Sequence, residues 1–134
     1  MRVYIVDDEP IVRAGLRQTL AADPEIVIVG EAASAREAFR DIETLGLDVV
    51  IMDLVLPGMD GVAATRAIRS VAANADLPII AMTAHAELTE RERCLAAGMN
   101  DYVSKPFEPS HLFKTLARWL ESRSGGPGHV PPGA

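Results

Sequence analysis

Cysteine is almost missing from this chain: Cys94 is the single one in 134 residues. One thiol cannot build an internal disulfide framework, so the chain suits a reducing, cytoplasmic compartment. Cys94 itself reads as a small buried hydrophobe rather than a reactive thiol. Long apolar runs are missing too. The longest, such as Val49-Val50-Ile51-Met52, suit a buried strand and fall far short of the roughly 20 residues that span a bilayer as a helix. No membrane role is expected. Nor is a secretory signal, because strand-like residues follow Met1 directly. Finally there is no basic surplus: 13 Lys and Arg face 19 Asp and Glu, for a net charge of −6. Neutralising nucleic-acid phosphates takes a basic patch, and no Lys/Arg-rich run exists to form one, so direct nucleic-acid binding by this domain is not expected.

What is present is an alternation of two periods. Val3 to Val6, Ile26 to Val29, Val49 to Met52, Ile79 to Met82 and the shorter Tyr102-Val103 are apolar and mostly β-branched. They read as strands buried on both faces, as in a parallel sheet. Helical patterns lie between them. Val12, Leu16 and Leu20 recur every fourth residue after Pro10, a proline suited to a first turn. Ala35, Ala38, Phe39 and Ile42 follow Ser34, which suits an N-cap. Asp60-Gly61 opens a third helix, and Leu112, Leu116 and Leu120 line a fifth, with Phe113 and Trp119 in its packing. Glu87 to Ala97 carries the polar run Thr89-Glu90-Arg91-Glu92-Arg93 and only a thin apolar face. It reads as a loosely docked fourth helix ending at Gly98 as C-cap.

Strand and helix in strict alternation predict an α/β fold, (βα)5, with right-handed crossovers and a doubly wound five-stranded parallel sheet. The length fits one domain, residues 1–121. From Ser122 to Ala134 the chain turns Gly/Pro/Ser-rich and nearly devoid of apolar side chains, the composition of a disordered tail or linker.

Polar residues stand at the carboxyl ends of the expected strands, where such sheets bind ligands. Asp7 and Asp8 follow the first strand, Asp53 the third, Thr83 the fourth and Lys105 the fifth. Each alone has a plain structural use: Asp8 or Thr83 as a helix cap, Asp53 in the Leu-Pro-Gly turn, Lys105 as a solvated charge. All five on one sheet edge are hard to explain by capping. Three carboxylates within a few ångströms repel one another, and a hard divalent cation such as Mg²⁺ removes the conflict while remaining able to take a phosphate oxygen. Asp53 is then an ionised nucleophile, with Lys105 neutralising phosphoryl oxygens and Thr83 donating a hydrogen bond to them.

These residues sit in recognisable strings: Val-Asp-Asp-Glu-Pro at 6–10, Met-Asp-Leu-Val-Leu-Pro-Gly-Met-Asp-Gly at 52–61, Met-Thr-Ala-His at 82–85 and Asp-Tyr-Val-Ser-Lys-Pro-Phe at 101–107. Together they resemble the signature motifs of response-regulator receiver domains in two-component signalling, over residues 2 to about 121. The resemblance implies a flavodoxin-like fold with strand order 2-1-3-4-5. It implies Asp53 as phosphoacceptor, and Asp8, Asp53 and the Val55 backbone carbonyl as direct Mg²⁺ ligands, with Asp7 acting through water and Mn²⁺ as a substitute ion. It pairs Thr83 and Lys105 on the phosphoryl group, makes Thr83 and Tyr102 the switch residues, and allows a cis Lys105–Pro106 bond. The implied partners are a sensor histidine kinase or histidine phosphotransfer protein, and a phosphorylation-dependent homodimer. The output face would be the fourth helix, fifth strand and fifth helix, where Arg91, Asp101, Lys114 and Arg118 are candidate contacts. The first half resembles receivers that precede DNA-binding domains, and Met82 to Trp119 those of hybrid kinases or standalone regulators.

Three other readings compete. A haloacid-dehalogenase-type phosphotransferase needs a second Asp two residues after the nucleophile, where this chain has Val55. A flavin carrier needs a hydroxyl- and glycine-rich phosphate loop after the first strand, and Asp7-Asp8-Glu9 would repel phosphate. A degenerate receiver, acting as a phosphorylation-independent interaction module, would have lost part of the acidic set, Thr83 or Lys105, and all are present. Glu31 reads as a solvated loop charge. His85 sits where the family varies and its role stays open, with modulation of dephosphorylation as one candidate. His111 and His129 have no partners by spacing, which argues against a metal or phosphorelay role.

Overall fold

The computed structural model describes residues 1–71, 74–84 and 88–124, with side chains as far as Trp119. His85, Glu87 and His129, the Leu120 side chain and residues 125–134 lie outside the described residues.

The sheet alternation is carried by β1 (Arg2–Val6), β2 (Val27–Ala32), β3 (Val49–Asp53), β4 (Ile79–Thr83) and β5 (Asp101–Ser104). All neighbours pair in parallel, in the order β2-β1-β3-β4-β5. Side chains alternate across each strand, which splits the core in two. Tyr4, Val6, Val50, Met52 and Ala81 face α2 (Ala35–Thr44), α3 (Gly61–Arg69) and α4 (Leu88–Ala97). Val3, Ile5, Val49, Ile51, Ile80 and Met82 face α1 (Pro10–Leu20) and α5 (Pro109–Ser124). Phe113 and Trp119 pack against this second core, as the sequence pattern predicts.

Burial on both faces holds for β3 and β4 and fails at the edges. In β2 only Ala32 is buried, Val27 is half exposed, and the strand begins and ends later than its apolar run. The cause is position: an edge strand has a neighbour on one side and thinner cover. Glu31, expected to be a solvated loop charge, is a β2 residue held by Arg17 at 2.6 Å and Arg13 at 3.2 Å.

Local chemistry sets the helix ends. Pro10 occupies the first turn of α1, and its N-cap is Glu9, whose side chain makes no capping bond. Asp8 is therefore not used as a cap. Ser34 accepts the Glu37 N–H at 3.3 Å, and the Glu37 carboxylate accepts the Ala33 N–H at 3.0 Å, close to a reciprocal capping box. Asp60 caps α3 by accepting the Ala63 N–H at 2.8 Å. Gly98 follows α4 with φ +106°, a left-handed conformation suited to glycine after a helix. Of α4's residues only Cys94 and Ala97 are buried, while Leu88 and Leu95 are exposed; the thin apolar face does give a lightly anchored helix. Burial pushes the Cys94 thiol up, which keeps it protonated and inert. Helix α5 continues through Ser122 to Ser124, into the segment whose composition suggested a tail.

Candidate functional site

The carboxyl ends of β1, β3, β4 and β5 bring the five expected side chains to one edge. Asp53 and Thr83 are the last residues of β3 and β4, while Asp7-Asp8 and Lys105 directly follow β1 and β5. Together with Glu9, Leu54, Val55, Ala84 and Glu90 of α4, four of them (Asp8, Asp53, Thr83 and Lys105) line a cleft of about 350 Å³. A larger hollow, about 560 Å³, opens at the opposite edge near the starts of β3 and β4, between Leu47 and Leu77. It holds no comparable convergence of acid and base.

Asp7 is fully buried and Asp53 nearly so, whereas Asp8 and Glu9 are exposed. The Asp7 N–H donates to the Ala32 carbonyl at 3.0 Å, and Asp7 Oδ1 accepts the Glu9 N–H at 2.8 Å. Asp7 Oδ2 is buried and accepts no well-aligned hydrogen bond. The Lys105 ammonium sits 3.0 Å from it as an ion-pair partner, 2.9 Å from Asp53 Oδ2 and 3.4 Å from Glu9 Oε1. Lys105 is thus no solvated charge; only 16% of its side chain is exposed. Its backbone N–H donates to the Thr83 carbonyl at 2.8 Å, tying β5's end to β4's, and the Lys105–Pro106 bond is cis.

Burial raises the Asp53 carboxyl above the usual range. The hydrogen bond from Lys105 and the Val55 N–H pull it back, and the Asp7 charge pushes it up again. For Lys105, burial pulls the ammonium down, but its bonds to Asp53 and Asp7 outweigh that and leave it above an ordinary lysine. Asp53 also accepts the Val55 N–H at 3.2 Å, so its plain role in the turn coexists with its place in the cleft.

Glu9 joins the cluster, which the sequence reading did not anticipate. Asp7, Asp8, Glu9 and Asp53 each offer a carboxylate oxygen, and these oxygens lie within 4.8 Å of one another. At that separation and an effective dielectric of about 20, the one buried pair, Asp7 and Asp53, repels by roughly 3.5 kcal/mol. One ammonium cannot balance four carboxylates. An all-oxygen donor set with surplus negative charge fits a hard divalent cation.

Gly61 brings α3 against this floor. Its N–H donates to the Leu54 carbonyl at 2.9 Å, and a Cβ there would stand 2.5 Å from the Asp53 carbonyl oxygen. Above β5, the half-buried Tyr102 ring carries the Arg91 guanidinium 4.4 Å from its centroid. Asp101 accepts from Arg118 at 2.8 Å and from the Trp119 indole at 3.0 Å. Three of the four candidate contact residues on this face, Arg91, Asp101 and Arg118, are therefore engaged within the chain.

A parallel sheet in 2-1-3-4-5 order with an acidic cluster, a threonine and a lysine at its carboxyl edge defines a flavodoxin-like α/β domain with one candidate ligand cleft there. The family model of the response regulator receiver domain matches residues 3–117, and the chain belongs to that family. It is 39% identical over 115 residues to the uncharacterized transcriptional regulatory protein YhcZ of Bacillus subtilis, covering 86% of this chain and 53% of YhcZ. It is 39% identical over 133 residues to the sensor histidine kinase GacS of Pseudomonas protegens, covering 94% of this chain and 14% of GacS. The chain therefore spans about half of one relative and a small part of the other. Among solved structures, the receiver domain of a sensor histidine kinase from Pseudomonas aeruginosa, with a magnesium ion coordinated in its active-site cleft, superposes with a TM-score of 0.81 at 37% identity; the match covers 90% of this chain and 98% of that one. The protein is a receiver domain of two-component signalling, and no helix among the described residues is long and apolar enough to cross a membrane.

Proposed function

We propose that this chain accepts a phosphoryl group on Asp53 from a phosphohistidine donor and uses it to switch the α4–β5–α5 face. The observation that carries the reading is the nearly buried Asp53 carboxylate, 2.9 Å from the Lys105 ammonium and beside Asp7, Asp8 and Glu9.

The donor is a sensor histidine kinase or a histidine phosphotransfer protein. An Asp53 carboxylate oxygen attacks phosphorus, the phosphorus–nitrogen bond breaks, and its electron pair returns to the imidazole. Lys105 stays within reach of the transferred oxygens and offsets their charge, and Thr83 donates its hydroxyl to one of them. Asp8, Asp53 and the Val55 carbonyl would hold Mg²⁺, or Mn²⁺ in its place, with Asp7 acting through water. The ion supplies charge neutralisation for the phosphoryl oxygens. Water later hydrolyses the acyl phosphate, so the chain is a signalling switch rather than an enzyme acting on a separate metabolite.

Signal output follows from the weak anchoring of α4. When Thr83 turns toward the phosphoryl group, space opens beside β5, and the Tyr102 ring rotates inward to fill it. That rotation gives up its contact with Arg91, loosening α4 further. The shift biases an existing equilibrium and supports a phosphorylation-dependent homodimer. Direct nucleic-acid binding is not assigned to this domain, and its setting is the cytoplasm. The domain is assigned to residues 1–121, with its last helix running on to Ser124 and the remainder as tail or linker.

The test is intact-mass analysis after incubation with a small phosphodonor, with and without Mg²⁺. One added phosphoryl group, dependent on Mg²⁺ and lost in Asp53→Asn, is expected. Labelling of that variant at another residue would overturn the assignment. A wild type that takes no label would leave the interaction-module reading.

A further inference from the structure

The Asp7 carbonyl in the acidic loop is held by a side chain of α1. Peptide planarity locks the Asp7 carbonyl and the Asp8 N–H into one rigid unit. Whatever holds that carbonyl therefore sets where the Asp8 Cα sits, and so the point from which its carboxylate reaches the cleft. The group holding it is the Arg13 guanidinium, one turn into α1, which donates from Nη1 to the Asp7 carbonyl oxygen. Among the described residues none bonds the Asp8 side chain, which is exposed; its aim depends on its backbone.

Arg13 is itself held. Its Nε lies 3.2 Å from Glu31 Oε1, and both side chains are about four-fifths buried, at 18% and 20% exposure. Arg17, more open to solvent, grips the same carboxylate at 2.6 Å from the outside. Glu31 is fixed in turn by the sheet, because it pairs with Ile5 in the β1–β2 ladder two residues before Asp7. The next β2 residue, Ala32, accepts the Asp7 N–H at 3.0 Å. Both ends of the Asp7 backbone are thus tied to β2, one directly and one through Glu31 and Arg13.

We infer that Arg13, oriented by Glu31, is a positioning residue for the cation site, holding Asp8 in place for Mg²⁺ through the Asp7 carbonyl. This rests on the proposed reading of the site. A guanidinium suits the task because its planar fork reaches the carbonyl and the carboxylate at once, whereas a lysine at the same position offers one point charge. Losing a group one step behind the ligands that fixes their placement typically changes metal affinity about 10- to 100-fold.

The variants that test it conserve charge, since removing a positive charge beside the cluster would by itself favour a cation. Arg13→Lys and Glu31→Asp keep every formal charge but cannot span both partners. In the full chain, three quantities are measured: Mg²⁺ affinity by calorimetric titration, melting temperature in EDTA, and phosphorylation rate from a small phosphodonor as Mg²⁺ is varied. Arg13→Lys should bind Mg²⁺ about tenfold more weakly and Glu31→Asp about threefold. The Mg²⁺ concentration for half-maximal rate should rise in step, while the rate at saturating Mg²⁺ stays within about twofold of wild type. If both variants bind Mg²⁺ within about twofold of wild type, whatever their melting temperatures, the inference is overturned and the site reading stands. A wild type that binds no Mg²⁺ overturns both.

Discussion

Replacing Lys105 by Met removes the chain's own cation from the cleft while keeping most of its apolar stem. The Lys105 ammonium lies 2.9 Å from Asp53 Oδ2 and 3.0 Å from Asp7 Oδ2, so its loss leaves two buried carboxylates facing each other. Breaking a buried ion pair by deleting one partner costs about 3–5 kcal/mol. Here the cleft opens to water and Asp53 can take a proton, which lowers the expected cost near neutral pH to about 2–3 kcal/mol. In a domain of this size 1 kcal/mol moves the melting temperature by about 3–5 °C. Without metal, Lys105→Met should therefore melt about 6–15 °C below wild type.

The pH dependence has a definite sign. Asp53 is already raised, by burial first, and losing Lys105 raises it further. A carboxyl whose folded pKa exceeds its unfolded value burdens the fold only when ionised. The burden is absent below the unfolded value of about 3.9 and grows as pH rises through the raised folded pKa. The gap between variant and wild type should narrow on acidification from about pH 7.5 toward about pH 5. Excess Mg²⁺ should also narrow it. A ligand at a hundredfold its Kd adds about 2.7 kcal/mol to the folded state, and the variant has no ammonium competing for the same oxygens. Thermal melts followed by circular dichroism, across pH and with EDTA or Mg²⁺, read all three effects. Equal melting in EDTA, or a gap that widens on acidification, would refute the reasoning.

Mg²⁺ affinity should fall at least about tenfold in Asp8→Ala and less in Asp7→Asn, because the latter loses charge behind the ion rather than a direct ligand; calorimetric titration of the pair checks the order. Gly61→Ala should cost about 1–3 kcal/mol in urea denaturation, since its Cβ would meet the Asp53 carbonyl oxygen at 2.5 Å and the Leu54 Cα at 2.9 Å; an unchanged midpoint would count against that contact. In amide NMR with a fluoroberyllate phosphate mimic, shifts should cluster at Asp53, Thr83 and residues 88–107, and changes confined to α2 and α3 would defeat the proposed switch.

Composition and period determined much of this protein by themselves. The order and type of the strands and helices follow from local hydrophobic spacing, and the caps at Ser34 and Asp60 follow from side chains that bond backbone within three residues. Even the light anchoring of α4 was legible, because apolar residues absent from a helix cannot be supplied by its neighbours. The convergence of Asp7, Asp8, Asp53, Thr83 and Lys105 could also be anticipated, since parallel strands deliver their carboxyl ends to a common edge.

Tertiary structure alone decided which strands are edges, and so the half-exposed β2 against the buried β3. An apolar run looks the same wherever the sheet places it. It alone put Glu9 beside the other carboxylates, because a residue at a helix start can turn toward the cleft or toward solvent. And it alone turned Glu31 from an apparent loop charge into the anchor of two arginines. Ion pairs between α1 and β2 depend on the crossing of a helix over a sheet, a relation set by packing of the core between them and carried by no short-range pattern.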